Sequence, residues 1–265
     1  MKRRCGDREI AYDDAGAGAP GAPVVLLHPF PFDRRYWAAT AAALAPAYRV
    51  ITVDARGNGE APASGPFAIA DLADDLAALL DALGVAAATV VGLSMGGYTA
   101  LAFAQRHAAR LAALVLADTR AAADSPETRR AREEARALIE SSGTSTYLDR
   151  SLPRLLAPDA SPALLARTRA LAETRGERIV AGLAALRDRP DRTSELAAIR
   201  CPTLVIAGAR DQVVPLEEMR GMSAAIASAR FVALDGIGHL ASLEAPAPFE
   251  AALRGFLDEL PAGAR

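Results

Sequence analysis

The segment Gly92-Leu93-Ser94-Met95-Gly96 sets a serine between two glycines, after the apolar run Thr89-Val90-Val91 and before a helical pattern from Tyr98 to Ala104. A serine on a tight strand-to-helix turn is held in a strained backbone conformation with its hydroxyl clear of the sheet. Glycine is needed at 92 and 96 because a Cβ there would collide across the turn. The helix behind Ser94 would aim backbone N–H groups and the positive end of its dipole at an oxyanion formed nearby. Chance yields a G-x-S-x-G in a chain of this length only about 0.1 times. Ser94 is read as a nucleophile.

A serine hydroxyl is a weak nucleophile at neutral pH and needs a base beside it. The chain has three histidines, His28, His107 and His239. His107 closes the helix behind Ser94, between Arg106 and Arg110, and reads as a helix-terminal surface cation. His28 ends the first central strand. His239 lies in the loop Gly236-Ile237-Gly238-His239-Leu240, late enough in the chain to swing over the serine, and is the better base. The imidazole in turn needs a carboxylate to fix its tautomer. Asp211, in Gly208-Ala209-Arg210-Asp211, is favoured by the order Ser…Asp…His. Asp118, which also ends a strand, is its rival, and Asp235 reads as a turn residue. An oxyanion needs two N–H donors. One is the backbone N–H of Met95. The other falls to Phe30, because Pro29 and Pro31 on either side of it have none.

Short apolar runs alternate with helical patterns along the chain, the signature of a parallel sheet with crossover helices. Strands are predicted over 8–13, 24–28, 49–53, 89–93, 112–117, 203–207 and 230–234, and helices over 36–45, 70–83, 95–107, 217–227 and 246–258. The alternation breaks between Thr119 and Ser194, where the sequence is Arg/Ala/Glu-rich with helical patterns near 127–142, 162–173 and 177–188. The expected architecture is an α/β doubly wound, mostly parallel sheet formed by 1–118 and 195–265. Residues 119–194 would form a helical cap over the carboxyl ends of the strands, where ligands bind in such folds.

Composition narrows the function. The 265 residues are 51% hydrophobic with a net charge of −2, which gives no field to attract nucleic acid or an acidic membrane surface. Cys5 and Cys201 match no metal spacing and suggest a reducing compartment. The N-terminal residues lack the apolar region of a signal peptide, and no apolar run approaches a membrane span. A cytoplasmic protein, monomeric or homodimeric, without metal or organic cofactor is expected.

These residues resemble the α/β-hydrolase superfamily along essentially the whole chain. The matching pieces, in order, are Leu26-Leu27-His28-Pro29-Phe30, Asp54-Ala55-Arg56-Gly57-Asn58-Gly59, Gly92-Leu93-Ser94-Met95-Gly96-Gly97, Gly208-Ala209-Arg210-Asp211 and Gly238-His239. Ser94-Met95-Gly96-Gly97 and Asp118-Thr119-Arg120 look most like the small capped esterases and 3-oxoadipate enol-lactonase-like enzymes. Two departures stand out: Pro29 where many relatives have glycine, and Glu60-Ala61 where relatives place serine second. The resemblance implies cleavage of a carboxylic ester or lactone by Ser94, Asp211 and His239. Serine at 94, rather than aspartate, argues against haloalkane dehalogenase or epoxide hydrolase chemistry. His28, Trp37, Tyr98 and Tyr147 could line the substrate pocket, with core packing an equal reading for the aromatic residues. Arg120, Arg129 or Arg132 could meet a substrate carboxylate. A perhydrolase or cofactor-free haloperoxidase, a carbon–carbon bond hydrolase and a non-catalytic ligand receptor share the same residues and stay open.

Overall fold

A computed structural model of the chain describes residues 1–6, 8–62 and 65–261. Eight strands form one sheet in the order β1-β2-β4-β3-β5-β6-β7-β8. The strands are β1 (Lys2–Cys5), β2 (Arg8–Ala15), β3 (Val24–Leu27), β4 (Val50–Val53), β5 (Ala88–Leu93), β6 (Leu111–Ala117), β7 (Thr203–Gly208) and β8 (Ala229–Leu234). Strands β4, β3, β5, β6, β7 and β8 pair in parallel, and β1 and β2 add an antiparallel edge. Seven of these strands lie where the hydrophobic runs predict them. β1 does not, because Lys-Arg-Arg-Cys carries one apolar residue and borders solvent, and a charged edge strand has no hydrophobic signature.

The central strands are apolar on both faces, and residues alternate between them. Val25, Val90, Leu114 and Val205 face one helical layer, and Val24, Leu26, Val91, Val115 and Leu204 face the other. The first layer holds α2 (Ile69–Ala82), α3 (Met95–Arg106) and α7 (Leu216–Ala224). In α2, Leu72, Leu76, Leu79 and Leu80 recur at helical spacing on the buried side, and the Asp71 carboxylate accepts the Ala68 N–H to cap its start. The second layer holds α1 (Ala38–Leu44) and α9 (Pro246–Asp258), which buries Phe249, Leu253, Phe256 and Leu257. A short α8 (Ala241–Glu244) precedes α9, a single turn too brief to show a period.

Between β6 and β7 run α4 (Pro126–Ser151), α5 (Pro162–Leu171) and α6 (Gly176–Arg187). The first helical run of α4 ends near 142, as the sequence predicts, at a kink where Gly143 has a φ of 82° that glycine tolerates, and a second run continues to Ser151. Ile139, Tyr147, Leu148, Leu152, Ile179 and Leu183 from this insert join the second apolar layer.

The turn after β5 brings backbone against backbone at the site. A Cβ on Gly92 would lie 2.2 Å from the Gly96 carbonyl oxygen, and one on Gly96 would lie 2.1 Å from the Leu27 carbonyl oxygen. β3, β5 and α3 therefore meet with no side chain between them. Replacing Gly96 with alanine is expected to cost at least about 1–3 kcal/mol by forcing backbone apart. Gly255→Ala in α9, where open space surrounds the position, should stabilise by about 0.5–1 kcal/mol. Urea unfolding of the two variants would separate them; equal stabilities would contradict the packing described.

Candidate active site

Five neighbouring parallel strands end at the same edge of the sheet, and each delivers one piece of the site. Beyond β5, Ser94 has φ 53° and ψ −113°, a conformation that L-residues rarely adopt. It is held by its N–H to the Ala117 carbonyl (3.0 Å) and by its carbonyl, which accepts Thr119 Oγ1–H (2.9 Å). A Cβ on Gly97 would collide with the Thr119 side chain at 2.4 Å, which explains the second glycine after Met95.

His239, beyond β8, has its Nε2 2.8 Å from Ser94 Oγ and its Nδ1 2.7 Å from Asp211 Oδ2. A carboxylate only accepts, so Nδ1 carries the proton and Nε2 is free to accept the serine proton. The other oxygen of Asp211 accepts the N–H groups of Val213 (2.6 Å) and Val214 (3.0 Å), which fixes the carboxylate beyond β7. The side chains of Asp211 and His239 are each 2% exposed, so their interaction is little screened by water. The arrangement can draw a proton from the serine and stabilise the imidazolium that results.

Asp118 does not touch His239. It is fully buried beyond β6 at φ 43°. Its Oδ1 accepts the Gly208 N–H (2.7 Å) and its Oδ2 the Ala241 N–H (3.2 Å), tying the end of β7 to the segment after His239. Burial, and then the charge of Asp211, push its carboxyl well above the usual carboxylate range, against the pull of those two amides. His107 forms a surface pair with Asp74 at 2.8 Å, as its place at the helix end predicts.

The loop after β3 carries Phe30. Pro29 O accepts the Phe32 N–H (3.0 Å), and Phe32 O accepts Asn58 Nδ2–H (2.8 Å). Among the described residues, the Phe30 N–H has no hydrogen-bond partner, and the Met95 N–H, first in α3, has no intrahelical carbonyl to meet. The loop Asp54–Gly59 is a brace: Asp54 accepts the N–H groups of Arg34 (2.8 Å) and Glu60 (2.8 Å) and pairs with the Arg34 guanidinium. Glu60, one of the departures from the family pattern, adds a 2.9 Å pair to Arg34. Sequence assigns Asp54 and Asn58 no part in the site, since a polar residue in a glycine-rich loop reads equally as a turn.

The residues expected to line a substrate pocket are engaged by the protein itself. His28 is 2% exposed, with Nε2 accepting the Ala55 N–H (3.0 Å) and Nδ1 donating to Pro29 O (2.9 Å), so both ring nitrogens are committed to its own chain. It borders a cavity of about 410 Å³ on the α2 side, whose walls include Leu27, Met95, Gly96 and Arg56 but not Ser94 or His239. Trp37 is fully buried against Tyr36 and Phe249, a core position. Tyr98 lies under the Arg189 guanidinium, 4.2 Å from its ring centre. Tyr147 is packed within the second apolar layer. The three arginines have protein partners: Arg120 bonds the Val213 carbonyl and faces Glu218 at 3.6 Å, Arg129 pairs with Asp188 at 3.0 Å, and Arg132 pairs with Asp124. A carboxylate-bearing substrate would have to displace those partners.

The insert is bonded to the loops that follow β3 and β4. Arg178 on α6 donates to the carbonyls of Gly57 (3.1 Å), Gly59 (3.1 Å) and Ala61 (3.3 Å), and the Glu173 N–H donates to Pro31 O (2.8 Å). Gly182 on α6 gives room to the Phe30 ring, which a Cβ would meet at 2.5 Å. Among the described residues, no cluster of three His, Cys, Asp or Glu could hold a metal ion, and no helix is long and apolar enough to cross a membrane.

Comparison with known proteins bears on the family and the fold. Residues 24–252 match the model of a family described as the alpha/beta hydrolase family. The chain is 30% identical over 248 residues to 3-oxoadipate enol-lactonase 1 of Acinetobacter baylyi, covering 92% of this chain and 91% of the relative. It is 30% identical over 262 residues to a Caulobacter sp. protein named as a carbamate hydrolase, RutD, covering 95% and 91%. Among solved structures, a thermophilic esterase from Thermogutta terrifontis superimposes with a TM-score of 0.90 at 35% identity, covering 98% of each chain.

The buried imidazole of His28 gives a pH test. Desolvation holds its pKa below the ordinary histidine value of 6.5, although its hydrogen bond to Pro29 and the charges of Asp54 and Asp33 oppose this. The unfolded chain then binds a proton that the native one refuses, so the stability contributed by neutral His28 is present above pH 6.5 and declines as the pH falls below it. His28→Gln should lower stability by about 1–3 kcal/mol at alkaline pH, and the gap to wild type should narrow in acid. Urea unfolding at both pH values checks this; a pH-independent gap would contradict it.

Proposed function

The chain belongs to the alpha/beta hydrolase family, and on that premise we propose that it is a serine hydrolase acting on a carboxylic ester or lactone. The observation that carries the reading is the unbroken line of contacts from Asp211 through His239 to Ser94, at 2.7 and 2.8 Å. Ser94 Oγ attacks the substrate carbonyl while His239 Nε2 takes its proton. Asp211 holds the Nδ1 proton and stabilises the imidazolium. The tetrahedral oxyanion accepts hydrogen bonds from the Met95 and Phe30 N–H groups, two donors free of other partners among the described residues. His239 then protonates the departing alkoxide. Water, deprotonated by His239, attacks the acyl-enzyme, and collapse of the second tetrahedral intermediate returns Ser94 and releases the acid.

The names of the relatives support the bond class. An enol-lactonase, an esterase and a carbamate hydrolase all name cleavage of a carbonyl-to-heteroatom bond. Simple esters and lactones are favoured over substrates carrying a carboxylate, because Arg120, Arg129 and Arg132 are engaged by the protein itself. Gly182 and the Phe30 ring it accommodates suggest that α6 borders the oxyanion side of the substrate.

Hydrolysis of p-nitrophenyl esters of graded acyl length, together with a simple lactone, tests the reading. Wild type should turn over at least one of them, Ser94→Ala should reduce kcat to background, and Asp211→Asn should reduce it about 10⁴-fold by presenting the wrong tautomer of His239. Wild-type activity that survives Ser94→Ala would sink the proposal.

A further inference from the structure

The loop bearing His239 is gripped by a carboxylate that the mechanism above does not use. Glu244 Oε2 accepts the Gly238 N–H (3.2 Å) and Glu244 Oε1 accepts the Leu240 N–H (3.2 Å), so one side chain holds the peptides on both sides of His239. Oε2 also accepts the N–H of Ala157 (2.9 Å), which lies in the helical insert between α4 and α5. The contact is close-packed as well as hydrogen-bonded: a Cβ on Gly238 would lie 2.3 Å from Ala157 N and 2.5 Å from the Leu156 carbonyl carbon.

The same short strap of the insert reaches the other partner of the imidazole. Gln212 Nε2–H donates to the Leu156 carbonyl (2.8 Å), and the Arg210 guanidinium pairs with Asp159 (2.7 Å). Arg210 and Gln212 are the two neighbours of Asp211. The acid and base loops also touch directly, through Arg210 N–H to Ile237 O at 2.7 Å. Residues 156–159 thus bond to the residues flanking Asp211 directly, and to those flanking His239 through Glu244.

We propose that Glu244 is a positioning residue that sets the His239 loop and ties it to the Leu156–Asp159 strap of the insert, so that the seating of the insert and the alignment of His239 on Ser94 are one event. The proposal rests on the serine-hydrolase reading for its kinetic consequence, but its structural content stands apart from it. A carboxylate is required because all three groups it meets are donors. Glutamine would turn an NH₂ toward at least one of them and leave that N–H unpaired. A displaced imidazole weakens proton transfer more than it weakens substrate binding, so the loss should fall on kcat rather than KM.

Glu244→Gln should lower both kcat and the rate of Ser94 labelling by a fluorophosphonate about tenfold, short of the ~100-fold that a 1 Å misplacement can cost, with KM little changed. Amide hydrogen exchange at Ala157, Gly238 and Leu240 should quicken together in the variant, while Glu250→Gln on α9 should leave rates and exchange as in wild type. In wild type itself the three amides should be protected and share one opening rate, a measurement that holds even if Glu244→Gln does not fold. Unaltered labelling and exchange in Glu244→Gln, or independent rapid exchange of the three amides in wild type, would overturn the proposal. Wild-type protein that neither hydrolyses esters nor reacts with the fluorophosphonate would count against the serine-hydrolase reading, with the exchange result still deciding the role of Glu244.

Discussion

The 2.8 Å contact between Ser94 Oγ and His239 Nε2 joins residues 145 positions apart in the chain, and the rest of the structure exists to keep it short. Neither residue lies in a regular element. Each sits on a turn just past a strand, and only the fixed spacing of a parallel sheet brings such turns side by side. The order β3-β5-β6-β7-β8 sets out Phe30, Ser94, Asp118, Asp211 and His239 along one edge. The apolar interior makes that edge stiff, since the central strands are buried on both faces and cannot slip without exposing Val, Ile and Leu side chains.

Buried carboxylates do the local holding. Asp211 orients the imidazole, Asp118 ties the end of β7 to the chain just after His239, and Asp54 organises the loop that follows β4. In each case the partners include backbone N–H groups on loops or at the ends of strands and helices. A buried acceptor with two oxygens meets that need with one side chain. The insert follows the same logic from above, with Arg178 reading three carbonyls of one loop and the Leu156–Asp159 strap meeting the acid and base loops. An insert bonded to loops at both ends of this edge is part of the support of those loops.

The sheet and the nucleophile were legible in the sequence because each carries a strong local signal. Val24 to Leu27 is a continuous apolar run, and Gly92 to Gly96 combines glycines with a strand and a helix on either side. Ser94, Asp211 and His239 are brought together as their order in the chain suggests. What sequence missed lacks such a signal. β1 is a charged edge, α8 is one turn long, and the second helical run after Gly143 is short and buries only Tyr147 and Leu148 against the core. The pocket residues were harder still. Trp37 and Tyr147 have the composition of a binding wall, yet their burial is decided by which helix face meets the sheet. His28 has the position of a site residue, but both its nitrogens serve its own loop. Periodicity reports whether a face is apolar, not whether it meets a ligand or another helix.

On the proposed mechanism Ser94 carries the acyl group in turnover. Wild-type protein quenched in acid during hydrolysis of a p-nitrophenyl ester, then digested and weighed by mass spectrometry, tests this directly. One acyl group, matching the ester used, is expected on the peptide containing Ser94, and none when His239 is replaced by alanine. An acyl group on another residue, or turnover with Ser94 never modified under conditions that trap an intermediate, would contradict it.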